Sequence, residues 1–327
     1  MRDIIQLPVK MSRFTAYNST GSAGIVANEN PEADNWYFNR SIHMQCDTRF
    51  YKGYTSPEII VYDTVIHQIP FIHTWPVPNV VARHCLRDLV HANLEEGNYV
   101  LFSFVDDYYI EGKSWYHQRH FGHDGIISGV NEREKTYTIT AYDSQWIYNT
   151  FDISQSCLLE ALEQGLLLSN DGEIMGAKAS MEPIPLDLAF IKGHLELEAN
   201  RRLEDFTEDA THVFGSNALQ ACIVQYLERL KDGRIPSNRM DRRVFRWIWE
   251  YKKCMLDRIR AVEKALELSD TCSREYEPLV KLADNMRFLY TCYERKRDVS
   301  LLASLQDKLM DSKDKESIIF ADLCGKM

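Results

Sequence analysis

The chain has 327 residues, 45% of them hydrophobic and 26% charged, with a formal net charge of −10. This composition supplies a large core and excludes wholesale disorder, while the acidic balance speaks against nucleic acid as the main partner. No apolar run reaches the length of a membrane span, and MRDIIQLPVKMSRF lacks an apolar signal core, so a cytoplasmic protein without membrane contact is expected.

Residues 1–30 read as strand-like or irregular. A helix is predicted from Asp34, an N-capping type after Pro31, through Trp36, Phe38, Ile42 and Cys46. Four prolines between Pro57 and Pro78 exclude helix there, and Ile59–Val65 suits a strand. Val80, Leu86, Leu89 and Val90 form a helical stripe that closes near Gly97, and Tyr99–Val105 follows as a buried strand.

GIISGV (125–130) and TYTITAYD (136–143) read as a hairpin joined by the charged NEREK, with a further strand near Trp146–Phe151. Residues 154–168 look helical, 169–185 form a loop, and 186–192 suggest a strand. Four amphipathic segments then cover most of 213–320, with stripes such as Val244, Ile248, Tyr251 and Met255 that need a partner surface. The expected class is α+β. Its antiparallel N-terminal domain spans 1–168, a linker spans 169–194, and an all-helical domain spans 195–327.

A hairpin turn centred on Arg133 sets Ile127 against Ile139, Gly129 against Tyr137, and His123 against Asp143. The period of two puts these two polar residues on one face, within reach of each other. An imidazole beside a carboxylate is the orienting half of a nucleophilic triad, because the carboxylate fixes the tautomer and stabilises the imidazolium.

HDGIISGVNEREKTYTITAYD and the preceding LRDLVHANLEEGNYVLFSFV resemble the corresponding segments of papain-like proteins of the bacterial leader-peptidase type. Within that superfamily they are similar to the acyltransferases of the butirosin biosynthesis protein H type. The resemblance covers about residues 30–168. It implies a papain-like first domain and a thiol nucleophile at the start of its first helix, where the helix dipole and the histidine lower the thiol pKa. It also implies acyl transfer from a carrier-protein thioester to a small-molecule amine in specialised-metabolite biosynthesis. The partner is then an acyl or peptidyl carrier protein. The helix-start slot, however, reads Ala33-Asp34-Asn35-Trp36, and the oxyanion glutamine of the pattern falls near Glu29. Cys46 is the nearest thiol. The catalytic set expected on this basis is Cys46, His123 and Asp143. Asn35, Trp36, Trp115 and Tyr116 are expected to line the substrate groove, while Trp75, Tyr108 and Tyr109 read either as further groove residues or as half-buried loop anchors. The alternatives are a non-catalytic binding protein on the same fold and a cysteine peptidase.

Eight cysteines occur without a CxxC knuckle and read as reduced thiols, with Cys85 in a helix core. His117, His120 and His123, with Asp106, Asp107, Glu111 and Asp124, read as a polar cleft rim rather than a metal site, since no HExxH or facial triad occurs. Phosphate-binding glycine motifs are missing too, so no cofactor is expected. Arg239, Arg242, Arg243, Arg246, Lys252 and Lys253 form a locally basic stretch with the charge to dock an acidic carrier.

Overall fold

The computed structural model describes residues 2–41, 43–47, 56–61, 66–82, 84–169, 172–200 and 212–327. In chain order its strands are β1 (Ile4–Gln6), β2 (Met44–Asp47), β3 (Glu58–Val61), β4 (Ile72–Pro78), β5 (Tyr99–Asp106), β6 (Gly122–Asn131), β7 (Thr136–Tyr142), β8 (Tyr148–Ser154), β9 (Glu173–Ala179) and β10 (His212–Phe214). The α-helices are α1 (Asn18–Ala27), α2 (Ala33–Trp36), α3 (Asn79–Ala82), α4 (Leu86–Glu95), α5 (Gln155–Leu168), α6 (Leu188–Asn200), α7 (Ser216–Lys231), α8 (Arg243–Ala265), α9 (Thr271–Lys296) and α10 (Ser300–Lys326). No helix among the described residues is long and apolar enough to cross a membrane.

Two compact units emerge, one of Met1–Ala33 with Asp63–Pro183, the other of Asp34–Tyr62 with Ile184–Met327. Residues 34–62, expected in the first domain, therefore belong with the C-terminal part of the chain.

The first unit is mixed α/β, built on a seven-stranded antiparallel sheet in the order β4–β9–β5–β6–β7–β8, with β1 also paired to β6. β6 is long enough for two partners on one edge. β5 pairs along Gly122–Ile127 and β1 along Gly129–Asn131. The core forms where α4 and α5 press Val90, Leu94, Leu158 and Leu162 against Val100, Phe102, Ile127 and Ile139. Each such side chain contributes roughly 1.5–3 kcal/mol on burial. In α4 the apolar positions Leu86, Val90 and Leu94 recur every fourth residue, Asp88 complements the N-terminal dipole, and Gly97 in the left-handed region follows the last turn.

Several expected elements differ. Residues 18–27 form α1, buried almost all round and packed on β6, β7 and β9. The helix expected over Asp34–Cys46 is a four-residue α2 and a π-turn at Tyr37–Ser41, followed by strand β2. The expected loop at 169–185 contains β9, and residues 188–192 of the expected 186–192 strand open α6. Part of the proposed Ile59–Val65 strand lies outside the described residues.

The second unit packs α10 against α6, α7 and α9, and α8 against α9. It is not all helical, because β10 joins β2 and β3 in a three-stranded antiparallel sheet. The stripe Val244, Ile248, Tyr251 and Met255 is buried. Its polar core pairs Lys252 with Glu316 at 2.7 Å, both fully buried. Glu316 also accepts from Ser216 Oγ and Gln220 Nε2, which satisfies a carboxylate far from water.

Candidate functional site

The site is built where β5 ends beside the start of β6. Val105 lies opposite His123 and Asp106 opposite Gly122, after a bulge between Phe102 and Val105. Phe104, inside the bulge, adopts φ 64°. The bulge re-aims the end of the strand. Asp106 and Asp107 then enter a tight 3₁₀ turn, Asp107–Tyr109.

Each of the two carboxylates orients one histidine. Asp106 accepts from the backbone N–H groups of Tyr108 and Phe121, both at 3.1 Å, and meets His120 Nδ1 at 2.7 Å. Asp107 forms a short contact with His123 Nδ1 through Oδ2, and its Oδ1 faces Lys113 Nζ at 3.6 Å. A carboxylate only accepts, so Nδ1 of each ring carries the proton. Neutral His123 is left with its lone pair on Nε2, which meets no hydrogen-bonding partner among the described residues. The His123 side chain is 20% exposed and Asp107 2%. The orienting carboxylate is thus sealed in while the ring still reaches solvent.

Lys113 is buried beneath the pair. Burial pulls its pKa down, and Asp107 and then Asp143 hold it up. Asp124, next to His123 on β6, is pushed up by burial, against a hydrogen bond from the Phe104 backbone and the charge of His123.

Aromatic rings frame His123. Phe121 meets it edge-on at 4.6 Å and Trp146 at 6.4 Å. Tyr108 stacks on His120 at 4.4 Å, Tyr116 stacks on His117 at 4.0 Å, and Arg119 spans Trp115 and Phe121. Trp115 and Tyr116 thus stand half-buried in the loop that carries the histidines. Among the described residues no three His, Cys, Asp or Glu side chains converge as metal ligands.

Asp143 is not the partner of His123. The β6–β7 register runs through Ile127–Ile139 to Ile126–Thr140, and β7 ends at Tyr142. Beyond that end the chain turns toward β8, and the turn captures the carboxylate. Asp143 Oδ1 accepts from the N–H groups of Gln145 (2.8 Å) and Ile147 (2.9 Å), and Oδ2 from Asn149 Nδ2 (2.9 Å). The bulge at Ile127/Gly129 also sets Gly129 against Thr138 rather than Tyr137.

Cys46 lies in β2, the middle strand of the second unit's sheet, with Val213 and Ile59 as its neighbours. It is fully buried, and hydrogen bonding with Cys222, together with burial, pushes its thiol far above the ordinary range. Such a thiol stays protonated and is a poor nucleophile. Trp36 is only 3% exposed. Asn35 ties down the carbonyl of Ile184 at 2.8 Å. Both are structural parts of the second unit. Glu29 accepts from the backbone N–H of Ala179, so it closes β9. Cys85 is exposed at the start of α4 rather than in a helix core. The basic stretch is largely neutralised: Arg242 pairs with Glu294, Arg243 with Asp241, Arg246 with Glu250, and Lys252 is buried.

The Asp107–His123 pair spans β5 and β6 and so lies outside the β6–β7 hairpin pattern that singles out His123. The available signal was Asp106-Asp107 closing the strand just before the histidine strand. In an antiparallel pair joined by a loop, those two ends lie together.

No protein-family model and no curated protein matches the chain.

Proposed function

We propose that the first unit is an acyl-transfer catalyst in which His123 acts as general base and Asp107 as its orienting carboxylate. The carrying observation is the buried Asp107 on Nδ1 with Nε2 left open in a ring-lined rim. The resemblance to papain-like acyltransferases supplies the donor, a carrier-protein thioester, and the acceptor, a small-molecule amine. The second unit's Cys46 has no part in this chemistry. The helix that packs on β6 and β7, α1, opens with Asn18-Ser19-Thr20 and offers no thiol.

The amine therefore attacks the thioester carbon directly. His123 Nε2 takes the amine proton as the C–N bond forms, and Asp107 stabilises the imidazolium. The tetrahedral centre then collapses, the C–S bond breaks, and the proton passes from Nε2 to the departing sulfur. A positioned base contributes about 10²–10⁴-fold to such a step.

The test is amide formation from a carrier-bound acyl thioester and an amine, followed by mass spectrometry. His123→Ala should slow it by about a hundredfold or more, Cys46→Ser should leave it unchanged, and no acyl adduct should accumulate on the protein. Equal rates for wild type and His123→Ala would sink the proposal.

The second reading is a binding protein that keeps the rim for recognition. The absence of a cysteine from the first turn of α1 favours it. Tight binding of the acylated carrier with no turnover, by wild type and His123→Ala alike, would establish it.

A further inference from the structure

Gly193 sits in the interior of α6, where glycine is less favourable than alanine. Its backbone does not require glycine, since φ is not positive, and a Cβ there would meet nothing within 4 Å. Neither strain nor crowding explains the residue. What the missing side chain leaves open is a groove of about 470 Å³ on the second unit, a cavity open to solvent along Phe190 and Leu197. This volume falls in the usual range for small-molecule sites, roughly 300–1,000 Å³.

Met44, Phe190, Leu197 and Phe214 give the cavity apolar walls, and His194 and Glu198 form its polar end. Phe190 and His43 stack at 5.5 Å and 5°, and His43 and His194 at 3.8 Å and 7°. The charges at the polar end are already matched. Buried Arg258 donates to His194 Nδ1 at 2.8 Å, so the ring proton sits on Nε2, which lies 3.6 Å from Glu198 Oε1. Glu198 Oε2 accepts from the backbone N–H groups of Ser216 (2.7 Å) and Asn217 (3.4 Å) at the start of α7.

We propose that this cavity is a binding site for an uncharged aromatic small molecule of one or two rings. Ring-lined apolar walls favour a flat apolar body. An anion would face Glu198. A cation would meet a carboxylate that the α7 amides already hold. The site is independent of the His123 chemistry, which belongs to the other unit.

The test titrates the full chain with indole, read by ligand-observed NMR and by the shift in Tm. Saturable binding at one site is expected. Gly193→Leu fills the cavity from its wall, and Leu197→Trp does so from an exposed position. Each should weaken binding by about tenfold or more while the circular dichroism stays that of wild type. Tryptamine and indoleacetate, the cationic and anionic counterparts, should bind at least about tenfold more weakly than indole. His123→Ala should bind indole as wild type does. The proposal is overturned if indole fails to saturate the wild type, if both filling variants keep wild-type affinity, or if either charged probe binds more tightly than indole.

Discussion

Gly165 of α5 lies directly against the carbonyl of Phe104. A methyl group on its Cα would stand 1.6 Å from that oxygen. The bulge that delivers Asp106 and Asp107 to their histidines therefore depends on a missing side chain in the facing helix. Gly165→Ala must push α5 or the bulge aside, against a close-packed core. It should cost about 1–3 kcal/mol in urea unfolding and lower the acyl-transfer rate, because the displaced bulge carries Asp107 with it. Wild-type stability in Gly165→Ala would show that the approach is loose.

Acid should loosen the α4–β6 side of the first unit. Glu132 accepts from Lys135 (2.6 Å), Gln155 (3.1 Å) and Arg87 (3.1 Å), and its pKa falls to about 2, chiefly through Lys135. A carboxyl depressed in the folded state stabilises fully above its unfolded value and loses that contribution as pH drops. The window runs from about 4.5 down to about 2. His91, 3.0 Å from Glu132 and driven down by burial, adds a loss of the same sign that starts below its ordinary 6.5. In urea titrations between pH 5 and pH 2, wild type should lose stability more steeply than Glu132→Gln, with the gap narrowed by salt. Parallel pH profiles would remove Glu132 from the account.

Asp143 builds a turn, and its replacement should read as a turn defect. Asp143→Ala removes three hydrogen bonds and should cost about 2 kcal/mol. The turn holds Trp146, at φ 60°, beside His123. Tryptophan emission and solvent quenching should therefore change together with stability. A stable variant with unaltered Trp146 emission would contradict this role.

The sequence made visible those elements whose pattern is local. The β6–β7 register follows from apolar residues alternating on both sides of a charged turn, and Ile127 does face Ile139. The stripe Val244, Ile248, Tyr251 and Met255 of α8 repeats at helical spacing and is buried as expected. Hidden from such reading were elements held by distant partners. NSTGSAGIVA is rich in poor helix formers and has no single apolar face, so only burial on several sides keeps α1 helical. Trp36, Phe38, Ile42 and Cys46 mimic a helical stripe, yet β3 and β10 pair on either side of Met44–Asp47 and draw it into a sheet. For the site, the hairpin pattern points to the histidine but not to its carboxylate. Asp143 was close in the hairpin pattern, while Asp107 reaches His123 through a bulge that no local pattern announces.

The most direct test of the account is the tautomer of His123, read from its ring nitrogens by long-range proton–nitrogen NMR with the ring in its neutral form. With Asp107 holding Nδ1–H, the wild type and Asp143→Ala should both show a protonated Nδ1 and a bare Nε2. In Asp107→Asn the side-chain amide offers an N–H to Nδ1, and the ring proton should move to Nε2. An Nε2-protonated ring in the wild type, or a tautomer that changes with Asp143 and not with Asp107, would contradict the assignment of His123 as an oriented base.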